Sequence, residues 1–342
     1  MPRVSIHIVT WNSRHFLDAA LESLAAQTFK NFSIIAVDNG SVDGTIDFIR
    51  EKYPQVITLR NFNNLGFARA HNQAIELARS RYARLGGPSP DTFILVMNPD
   101  VVLAPDYLEK LLLAADFEYK VASLVGSVYR LRESRDGELL DYVQTNTFDT
   151  TGLCVSASGR ATDRGAGEED RGQFERAGEI FGVSGALACY RLSALEDIYS
   201  VSGEYFDERF FAYKEDIDLA WRLRRLGWRA WHVPEARAYH LRAAYGSEKR
   251  GLKIAWRERR IKSDLVNRLS YRNHFWLLAK NLDWLVFLRY SPLIIAREVF
   301  KLFYLAFVEP RTLAVLPETF ASLPMMFRKR RAIFESRKIP VR

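Results

Sequence analysis

Apolar and polar residues alternate in two different ways over the first hundred residues of the chain. Continuous apolar runs predict buried strands at residues 4–10, 32–38, 56–60 and 93–97. Apolar residues spaced by three and four positions predict helices between them, at residues 14–26, 44–53 and 66–81. Strands that alternate with helices form βαβ units, so the sequence predicts an α/β fold in which helices flank a mostly parallel central sheet.

The pattern weakens in the middle of the chain. Residues 131–179 are rich in Gly, Asp, Arg and Ser and have no clear period. They are longer than the structureless loops of compact domains, so we predict a flexible flap or an insertion there. A first domain over residues 1–245 is completed by an apolar segment at 180–190, a helix at 215–226 that ends before Gly227, and strand segments at 231–234 and 238–240.

The last hundred residues are basic and rich in aromatic side chains. Residues 241–342 contain 22 basic and 8 acidic residues, a net charge of +14, whereas residues 1–240 contain 27 and 33, a net charge of −6. Residues 273–308 are too apolar for an arm that binds nucleic acid, so nucleic acid is not expected as a partner. Charged residues interrupt this stretch before it reaches the about 20 apolar residues of a membrane-spanning helix.

We therefore predict amphipathic interfacial helices over residues 246–342. Together with the basic cluster at 328–331, they would attach the protein peripherally to a membrane surface. One alternative stays open, in which the helical tail packs on the first domain or on a second subunit, giving a homodimer.

Composition excludes several classes of protein. With 342 residues, 48% of them hydrophobic, the chain can bury a large core and is not a disordered or disulfide-stapled protein. Cys154 and Cys189 lack the spacing of a metal or redox pair, which favours a reducing compartment. The first residues do not read as a secretory signal peptide, so a cytoplasmic location is expected.

Polar residues follow the predicted strands, where sheets of this kind bind their ligands. These residues are Thr10, Asn12, Asp38, Asn39, Ser41, Asp43, Asn63, Asn64, Asn98 and Asp100. The glycine-rich motifs of dinucleotide and P-loop enzymes are absent from the sequence, so side chains must bind the ligand. Asp38 is suited to accept hydrogen bonds from a base or ribose, although residues 38–41 also read as an ordinary tight turn.

Acidic residues provide two further candidate sites. Asp100, which follows Pro99, is suited to Mg²⁺ or Mn²⁺ that also binds a substrate diphosphate, although the segment could simply be a turn that ends a strand. Glu215, Asp216 and Asp218 stand in the first turn of a predicted helix, where one carboxylate could act as a base toward a hydroxyl group. The alternative is that they complement the helix dipole. His240 could complete a metal site or bind phosphate, but a lone histidine is more often structural.

These motifs, in this order, resemble the family 2 glycosyltransferases of the GT-A fold. The resemblance covers residues 4–240 and rests on Thr10-Trp11-Asn12, Asp38-Asn39-Gly40-Ser41, Asn64-Leu65-Gly66, Asn98-Pro99-Asp100, and Glu215-Asp216 ahead of Trp221-Arg222. Segments 148–152, 181–191 and 206–211 are similar to the bacterial rhamnosyltransferase branch of the family.

The resemblance implies a role for each matching residue. Asp216 would be the catalytic base, with Glu215 beside it. Asp100 would be the main metal contact because Asn98 stands where the family has a first aspartate, and His240 would bind the metal or the diphosphate. The residues that the resemblance assigns to substrate binding are Thr10, Asn12, Asp38, Asn39, Asn64, Gly66, Asn98, Ser184, Gly185, Ala186, Trp221 and Arg222.

The resemblance also implies a reaction and its partners. The enzyme would be an inverting, metal-dependent glycosyltransferase using Mg²⁺ or Mn²⁺, and it would transfer one sugar per encounter because the processive Q-x-x-R-W motif is absent from the sequence. The favoured donor is dTDP-L-rhamnose. The expected acceptor is a polyprenyl-diphosphate-linked saccharide at the cytoplasmic face of the bacterial inner membrane, in cell-envelope polysaccharide synthesis. Two alternatives stay open: a UDP-hexose donor, and a non-catalytic nucleotide-sugar-binding scaffold subunit of a glycan assembly complex.

Overall fold

The computed structural model describes residues 1–117, 120–136, 139–241 and 263–336. The strands are β1 (Val4–Thr10), β2 (Phe32–Asp38), β3 (Ile57–Arg60), β4 (Phe93–Met97), β5 (Val101–Leu103), β6 (Val121–Asp136), β7 (Leu139–Thr150), β8 (Leu153–Val155), β9 (Ala161–Asp163), β10 (Gly178–Ile180), β11 (Leu187–Arg191) and β12 (Arg229–His240).

Helices cover the sheet and form the tail. They are α1 (Arg14–Ala25), α2 (Thr45–Lys52), α3 (Phe67–Arg84), α4 (Tyr107–Phe117), α5 (Leu192–Ser202), α6 (Glu215–Arg225), α7 (Asp264–Asn281), α8 (Trp284–Val308), α9 (Pro310–Leu313), α10 (Leu316–Ala321) and α11 (Leu323–Glu335). A short 3₁₀ helix, Glu208–Phe210, precedes α6.

Ten of the described strands form one mixed sheet at the centre of the fold. Its order is β10-β12-β6-β11-β4-β1-β2-β3, with β5 paired to β12 and β7 paired to β6. The pairs β4–β1, β1–β2 and β2–β3 are parallel, whereas β11 runs antiparallel to both β4 and β6. The predicted α/β fold is confirmed. The strands predicted at 4–10, 32–38 and 93–97 match at both ends, because strands buried on both faces are predominantly apolar and polar residues follow or end them.

The segment at 131–179 contains regular structure. It includes the end of β6, the strands β7, β8 and β9, and the beginning of β10. Several of its strands are only three residues long, and glycines with positive φ interrupt it at 152, 159, 165 and 167. The strands β8, β9 and β10 are therefore too short to show a period, whereas β7, with twelve residues, is long enough and was not predicted. The segment reads as an insertion, and its flexibility stays a prediction.

Two strand segments predicted separately, 231–234 and 238–240, belong to one strand, β12. The register of β12 against β6 shifts between Val233 and Arg237. Pro234 lies in this irregular stretch, where a residue without an N–H group does not interrupt a regular ladder.

The structure divides the C-terminal tail into two parts. Helix α7 packs on α6, and the ammonium of its Lys280 lies 2.7 Å from Asp207 Oδ2 and 2.9 Å from Asp218 Oδ2 in the interior. This part fits the alternative of a tail that packs on the domain. Helix α8 instead leaves many apolar side chains exposed. Among the described residues, none of the helices combines the length and apolarity that crossing a membrane requires. The predicted domain boundary at residue 245 lies outside the described residues.

Candidate active site

The first group of predicted site residues lies where β1 and β2 end. Thr10 and Asp38 are opposite each other in the register of these strands. Asp38 is fully buried, and its carboxylate accepts hydrogen bonds from Thr10 Oγ1 at 3.0 Å and from the Ser41 N–H at 3.1 Å. Arg60, at the end of β3, brings its Nε to 3.8 Å from Asp38 Oδ2. Asp38 is thus held as a buried acceptor at the ligand-binding edge of the sheet.

Asparagine side chains join the loops around Asp38. Asn12 has φ of 52°, its N–H donates to Ser41 Oγ at 2.8 Å, and its Oδ1 accepts from the Val42 N–H at 2.9 Å. Asn39 Nδ2 donates to the carbonyl oxygen of Gly66 at 3.2 Å. Asn64 Oδ1 accepts from the Gly66 N–H at 2.9 Å. The structure therefore brings these predicted residues together, with their amides shaping the loops.

Exposed apolar side chains stand next to the residues of this polar cluster in the sequence. They were not predicted as site residues. Trp11 is 57% exposed, and Val42 and Phe62 are more exposed still. A flat aromatic ring at a polar edge is suited to stacking against a nucleobase. The signal was present in the sequence, because Trp11 stands between Thr10 and Asn12.

A second group of predicted residues lines a pocket of about 660 Å³. The predicted residues among its lining are Asn98, Asp100, Ser184, Gly185, Ala186, Glu215, Asp216 and His240. Asp163 and Lys214 also line the pocket and were missed. The Asn98 N–H donates to the carbonyl oxygen of Ala186 at 2.9 Å, which joins the end of β4 to the residues before β11.

Asp216 is fixed by two backbone N–H groups. The Gly185 N–H donates to Asp216 Oδ2 at 2.9 Å, and the Ile217 N–H donates to Oδ1 at 2.8 Å. Burial, with the nearby charge of Asp163, raises the pKa of Asp216 against the lowering effect of these hydrogen bonds. A carboxylate with a raised pKa is a stronger base, so the position suits proton abstraction from a substrate hydroxyl.

Glu215 has a different environment from its neighbour. It is buried, and its Oε2 has no hydrogen-bond partner among the described residues. Burial and the charge of Asp216 raise the pKa of Glu215 well above its ordinary value. The neutral acid is therefore favoured at Glu215, and Asp216 is the better base.

The loop that precedes these carboxylates is strained. Phe211, Tyr213 and Lys214 have φ values of 65°, 73° and 74°, a region that costs residues other than glycine about 1–3 kcal/mol each. A Cβ atom on Gly66 would lie 2.5 Å from the carbonyl oxygen of Phe211. Gly66 was predicted to bind substrate, but the structure gives it a packing role against this loop.

Helix α7 holds the strained loop in place. The side-chain nitrogen of Asn273 lies 2.9 Å from the carbonyl oxygens of Phe210 and Ala212 and 2.8 Å from that of Tyr213. Asn273 is fully buried. Its contribution could not be seen from the sequence because it stands about sixty positions after the loop that it contacts.

Asp100 and His240 form the predicted metal site. His240 Nε2 lies 3.2 Å from Asp100 Oδ1, and His240 Nδ1 lies 2.8 Å from Asp149 Oδ2. Burial lowers the pKa of His240, but the two carboxylates outweigh it and raise that pKa to about 10. Asp149 was missed, although it belongs to segment 148–152. It is suited to orient the imidazole, as carboxylates commonly do for metal-bound histidines.

The donor set fits a divalent ion that is shared with a substrate. Among the described ranges, the structure contains no group of three or more His, Cys, Asp or Glu side chains arranged to hold a metal. One carboxylate and one imidazole, with Asn98 in the same pocket, leave coordination positions for the oxygens of a diphosphate. A bound ion would take the place of the imidazole proton.

Trp221 and Arg222, which were predicted to bind substrate, are not among the residues that line the pocket. Arg222 is buried, and its Nε donates to Asp218 Oδ2 at 2.8 Å. Trp221 packs edge-on against Phe181 with ring centroids 5.3 Å apart. Asp218 likewise faces α7 and does not join Asp216 in the pocket. These side chains lie on the face of α6 that packs inside the protein.

Comparisons with known proteins point to one family. Residues 5–199 match the family model described as "Glycosyl transferase family 2". A Mycobacterium tuberculosis protein named N-acetylglucosaminyl-diphospho-decaprenol L-rhamnosyltransferase is 31% identical over 240 residues, which cover 69% of this chain and 75% of the relative. An Escherichia coli protein named UDP-Glc:alpha-D-GlcNAc-diphosphoundecaprenol beta-1,3-glucosyltransferase WfaP is 39% identical over 83 residues, or 24% of this chain and 33% of the relative.

Solved structures share the fold. A crystal structure of GalNAc-T7 with UDP, GalNAc and Mn²⁺ covers 97% of this chain with a TM-score of 0.59 and 12% identity, and this chain spans 54% of that protein. A crystal structure of Staphylococcus aureus TarS 1–349 with UDP covers 98% of this chain and 88% of its own, with a TM-score of 0.50 and 16% identity. At these identities the likeness concerns the fold alone.

Proposed function

Since the chain belongs to glycosyl transferase family 2 and is a glycosyltransferase with the GT-A fold, we propose that it transfers a single L-rhamnose from dTDP-L-rhamnose. The acceptor is a hydroxyl group of a polyprenyl-diphosphate-linked saccharide in cell-envelope polysaccharide synthesis. The reaction inverts the anomeric centre and depends on Mg²⁺ or Mn²⁺. The family and the relatives leave no reason to keep the non-catalytic scaffold alternative.

One observation carries the proposed chemistry: Asp216 is oriented by the Gly185 N–H at 2.9 Å in the pocket that Asp100 and His240 also line. Asp216 takes the proton of the acceptor hydroxyl, whose oxygen forms the new bond to the anomeric carbon. The bond from that carbon to the diphosphate breaks on the opposite side, so no covalent enzyme intermediate is needed. Asp100 and His240 would hold the divalent ion, which supplies positive charge for the departing nucleoside diphosphate.

The other end of the donor fits the edge at Asp38. Its buried carboxylate, fixed by Thr10 and Ser41, is suited to accept a hydrogen bond from the base, and Trp11 offers a stacking surface. Asn39 joins this cluster to Gly66, and Phe67 next to Gly66 lines the pocket, so the nucleoside and the diphosphate regions are continuous.

We infer the donor sugar from the names of two similar proteins. The M. tuberculosis relative, whose name states L-rhamnosyl transfer to a diphospho-decaprenol saccharide, aligns over 69% of this chain and supports rhamnose. The E. coli relative, whose name states a UDP-Glc donor, aligns over 24% of it and keeps a UDP-hexose as the second candidate. Both names state a lipid-linked diphosphate acceptor, which supports the acceptor class.

Helix α8 supports peripheral attachment to the cytoplasmic face of the inner membrane. Its exposed apolar side chains include Trp284, Leu285, Leu288, Leu293, Ile295, Phe300, Phe303 and Phe307. The same helix carries Arg289 and Lys301, and on α11 Arg328 and Arg331 of the basic cluster are exposed. Lys329 of that cluster instead pairs with Asp207, and the Arg330 guanidinium donates to the Leu282 carbonyl oxygen. Apolar and cationic side chains together suit a surface of anionic lipid.

Donor binding tests the proposal most directly. We would measure the thermal stabilisation of the full chain by dTDP-rhamnose, UDP-glucose, UDP-galactose, UDP-GlcNAc and GDP-mannose, each with and without Mn²⁺ or Mg²⁺. Metal-dependent stabilisation by dTDP-rhamnose alone is expected. Stabilisation by a UDP-sugar instead would keep the chemistry and overturn the donor.

A further inference from the structure

A hairpin separates the polar pocket from an apolar groove. The strands β8 and β9 contribute Leu153 and Ala161 to the pocket. At the tip of the same hairpin, a Cβ atom on Gly159 would lie 2.8 Å from Leu278 Cδ2, and the Ser158 carbonyl oxygen accepts from Arg297 Nη1 at 2.8 Å. The tip of the hairpin therefore contacts both α7 and α8.

The apolar groove has a volume of about 230 Å³. Leu278, Leu282, Trp284, Phe287, Ile294 and Phe327 supply its apolar lining. Helix α7 runs from one cavity to the other, because Ser270 lines the pocket and Leu278 lines the groove. Eight residues of helix correspond to about 12 Å, which sets the scale of the distance between the two cavities.

Three cationic side chains lie close to one another beside the pocket and its hairpin. Lys214 lines the pocket, and its ammonium has no hydrogen bond or ion pair within the described part of the chain. Arg160, which precedes the pocket-lining Ala161, is exposed, and its guanidinium likewise has no partner among the described residues. Burial lowers the pKa of Lys214, the charge of Asp216 opposes this, and the charges of Arg297 and Arg160 lower it further, so the cations are close enough to repel one another.

Such a gathering of like charges is unfavourable unless an anion binds there. Arg297 has Glu298 as a counter-ion at 2.8 Å, whereas Lys214 lies near Asp216 without forming an ion pair with it. Arg160 and Lys214 therefore hold positive charge that the protein leaves available at the rim of the pocket.

We propose that Arg160 and Lys214 bind the diphosphate of the lipid-linked acceptor, and that the first isoprene units of its chain lie in the groove lined by Leu278 and Trp284. The saccharide then reaches Asp216 in the pocket, and the remainder of the chain continues along the apolar side of α8 toward the lipid. This inference rests on the acceptor class in the proposed function.

The first test compares Arg160→Gln with Arg176→Gln, an exposed arginine of the same insertion whose neighbours in sequence do not line the pocket, unlike Ala161 beside Arg160. The acceptors are N-acetylglucosaminyl diphosphate carrying a farnesyl chain and octyl N-acetylglucosaminide, which lacks phosphate, both without vesicles. Arg160→Gln should raise KM for the diphosphate acceptor about tenfold, as expected for a lost charge-assisted hydrogen bond, with no change for the octyl glycoside or the donor. A value equal to that of Arg176→Gln, or a raised KM for the donor instead, overturns the subsite.

The second test concerns the groove and uses Trp284→Ala, with Phe307→Ala as the control. Both side chains are exposed on α8, but Phe307 does not line the groove. Trp284→Ala should lower kcat/KM for the farnesyl acceptor about fivefold relative to a methyl diphosphate acceptor, because less apolar surface is buried. Equal ratios in the two variants would overturn the groove assignment. If the wild-type protein binds no nucleotide sugar and transfers none, the proposed function fails; transfer with unaltered acceptor KM in Arg160→Gln fails the inference alone.

Discussion

The side-chain nitrogen of Asn273 lies 2.8 Å from the carbonyl oxygen of Tyr213. Tyr213 belongs to the strained loop before α6, and Asn273 belongs to α7 in the tail. A helix of the tail therefore shapes the backbone that carries Asp216. The sequence predicts a first domain and a separate attachment region. In the structure, a helix of the second region also supports the loop that precedes Asp216.

Replacing Asn273 tests this dependence. Asn273→Ala removes the donor that three loop carbonyl groups share, so we expect a loss of about 2–3 kcal/mol in the free energy of unfolding. The turnover number should fall, whereas the Kd of the donor should change little, because the side-chain nitrogen of Asn273 donates only to the loop before α6 and not to Thr10 or Asp38. Urea unfolding and single-turnover assays measure the two effects. Leu265→Ala, at an exposed position of the same helix, is the control and should leave both unchanged.

Asp216 and Asp218 form a matched pair on one helix. Asp216→Asn should reduce the rate of sugar transfer by about 10²–10⁴-fold with unchanged stability and donor binding, because it removes the proposed base. Asp218→Asn should act on stability instead, by about 3–5 kcal/mol, because it breaks the buried pairs with Lys280 and Arg222. Full activity in a folded Asp216→Asn protein would contradict the assignment.

The buried Glu215 should make the free energy of unfolding depend on pH. Its pKa is raised in the folded protein, so the folded state binds a proton more tightly than the unfolded state, whose glutamate titrates near 4.5. Stability is then lost as the pH rises above that value. Glu215→Gln removes this loss, so the variant should gain stability relative to the wild type between pH 5 and pH 8. Urea unfolding at four pH values measures it, and a constant difference would count against the raised pKa.

Asp149 should influence metal binding without contacting the ion. Its Oδ2 lies 2.8 Å from His240 Nδ1 and fixes the imidazole ring. Asp149→Asn should weaken Mn²⁺ binding in the presence of dTDP by about 10–100-fold, as is typical when such a supporting carboxylate is removed. Isothermal titration gives the value, with Asp170→Asn in the same insertion as the control. Identical affinities for the two variants would exclude this role.

Trp11 is expected to stack on the base of the donor. Trp11→Ala should weaken dTDP binding by about tenfold, within the 1–3 kcal/mol usual for base stacking, and should weaken UDP binding by the same factor. Leu85→Ala, exposed at the end of α3, serves as the control. No change in either affinity would show that the ring does not contact the base.

The strands of the fold were predictable because β4 is wholly apolar and most of the buried positions of β1 and β2 are apolar. The positions of Asp38 and Asp100 followed from the rule that ligands bind where strands end. Asp216 followed from the group of carboxylates in the first turn of a predicted helix and from the family resemblance. The face of α6 was not predictable, because the helix is buried on both sides. Asp216 meets the pocket, while Asp218 and Arg222 meet residues that are distant in sequence.

The packing of the C-terminal tail on the first domain was also not predictable from the sequence. Lys280 looks like a solvent-exposed charge in an amphipathic pattern, but its partners are Asp207 and Asp218, buried in the first domain. Hydrophobic periodicity records which positions are apolar. It carries no information on which charged residues find a buried counter-ion.

The long sequence separation between the strained loop and its supports has a consequence for the order of events in the cell. Asn273 stands 60 positions after Tyr213, and Lys280 stands 62 positions after Asp218. During translation the loop therefore exists well before the residues that fix it, and the apolar α8 follows those residues almost immediately. The loop that carries Asp216 can therefore be fixed in its strained conformation only when α7 has left the ribosome, at about the time when the exposed apolar side chains of α8 also leave it.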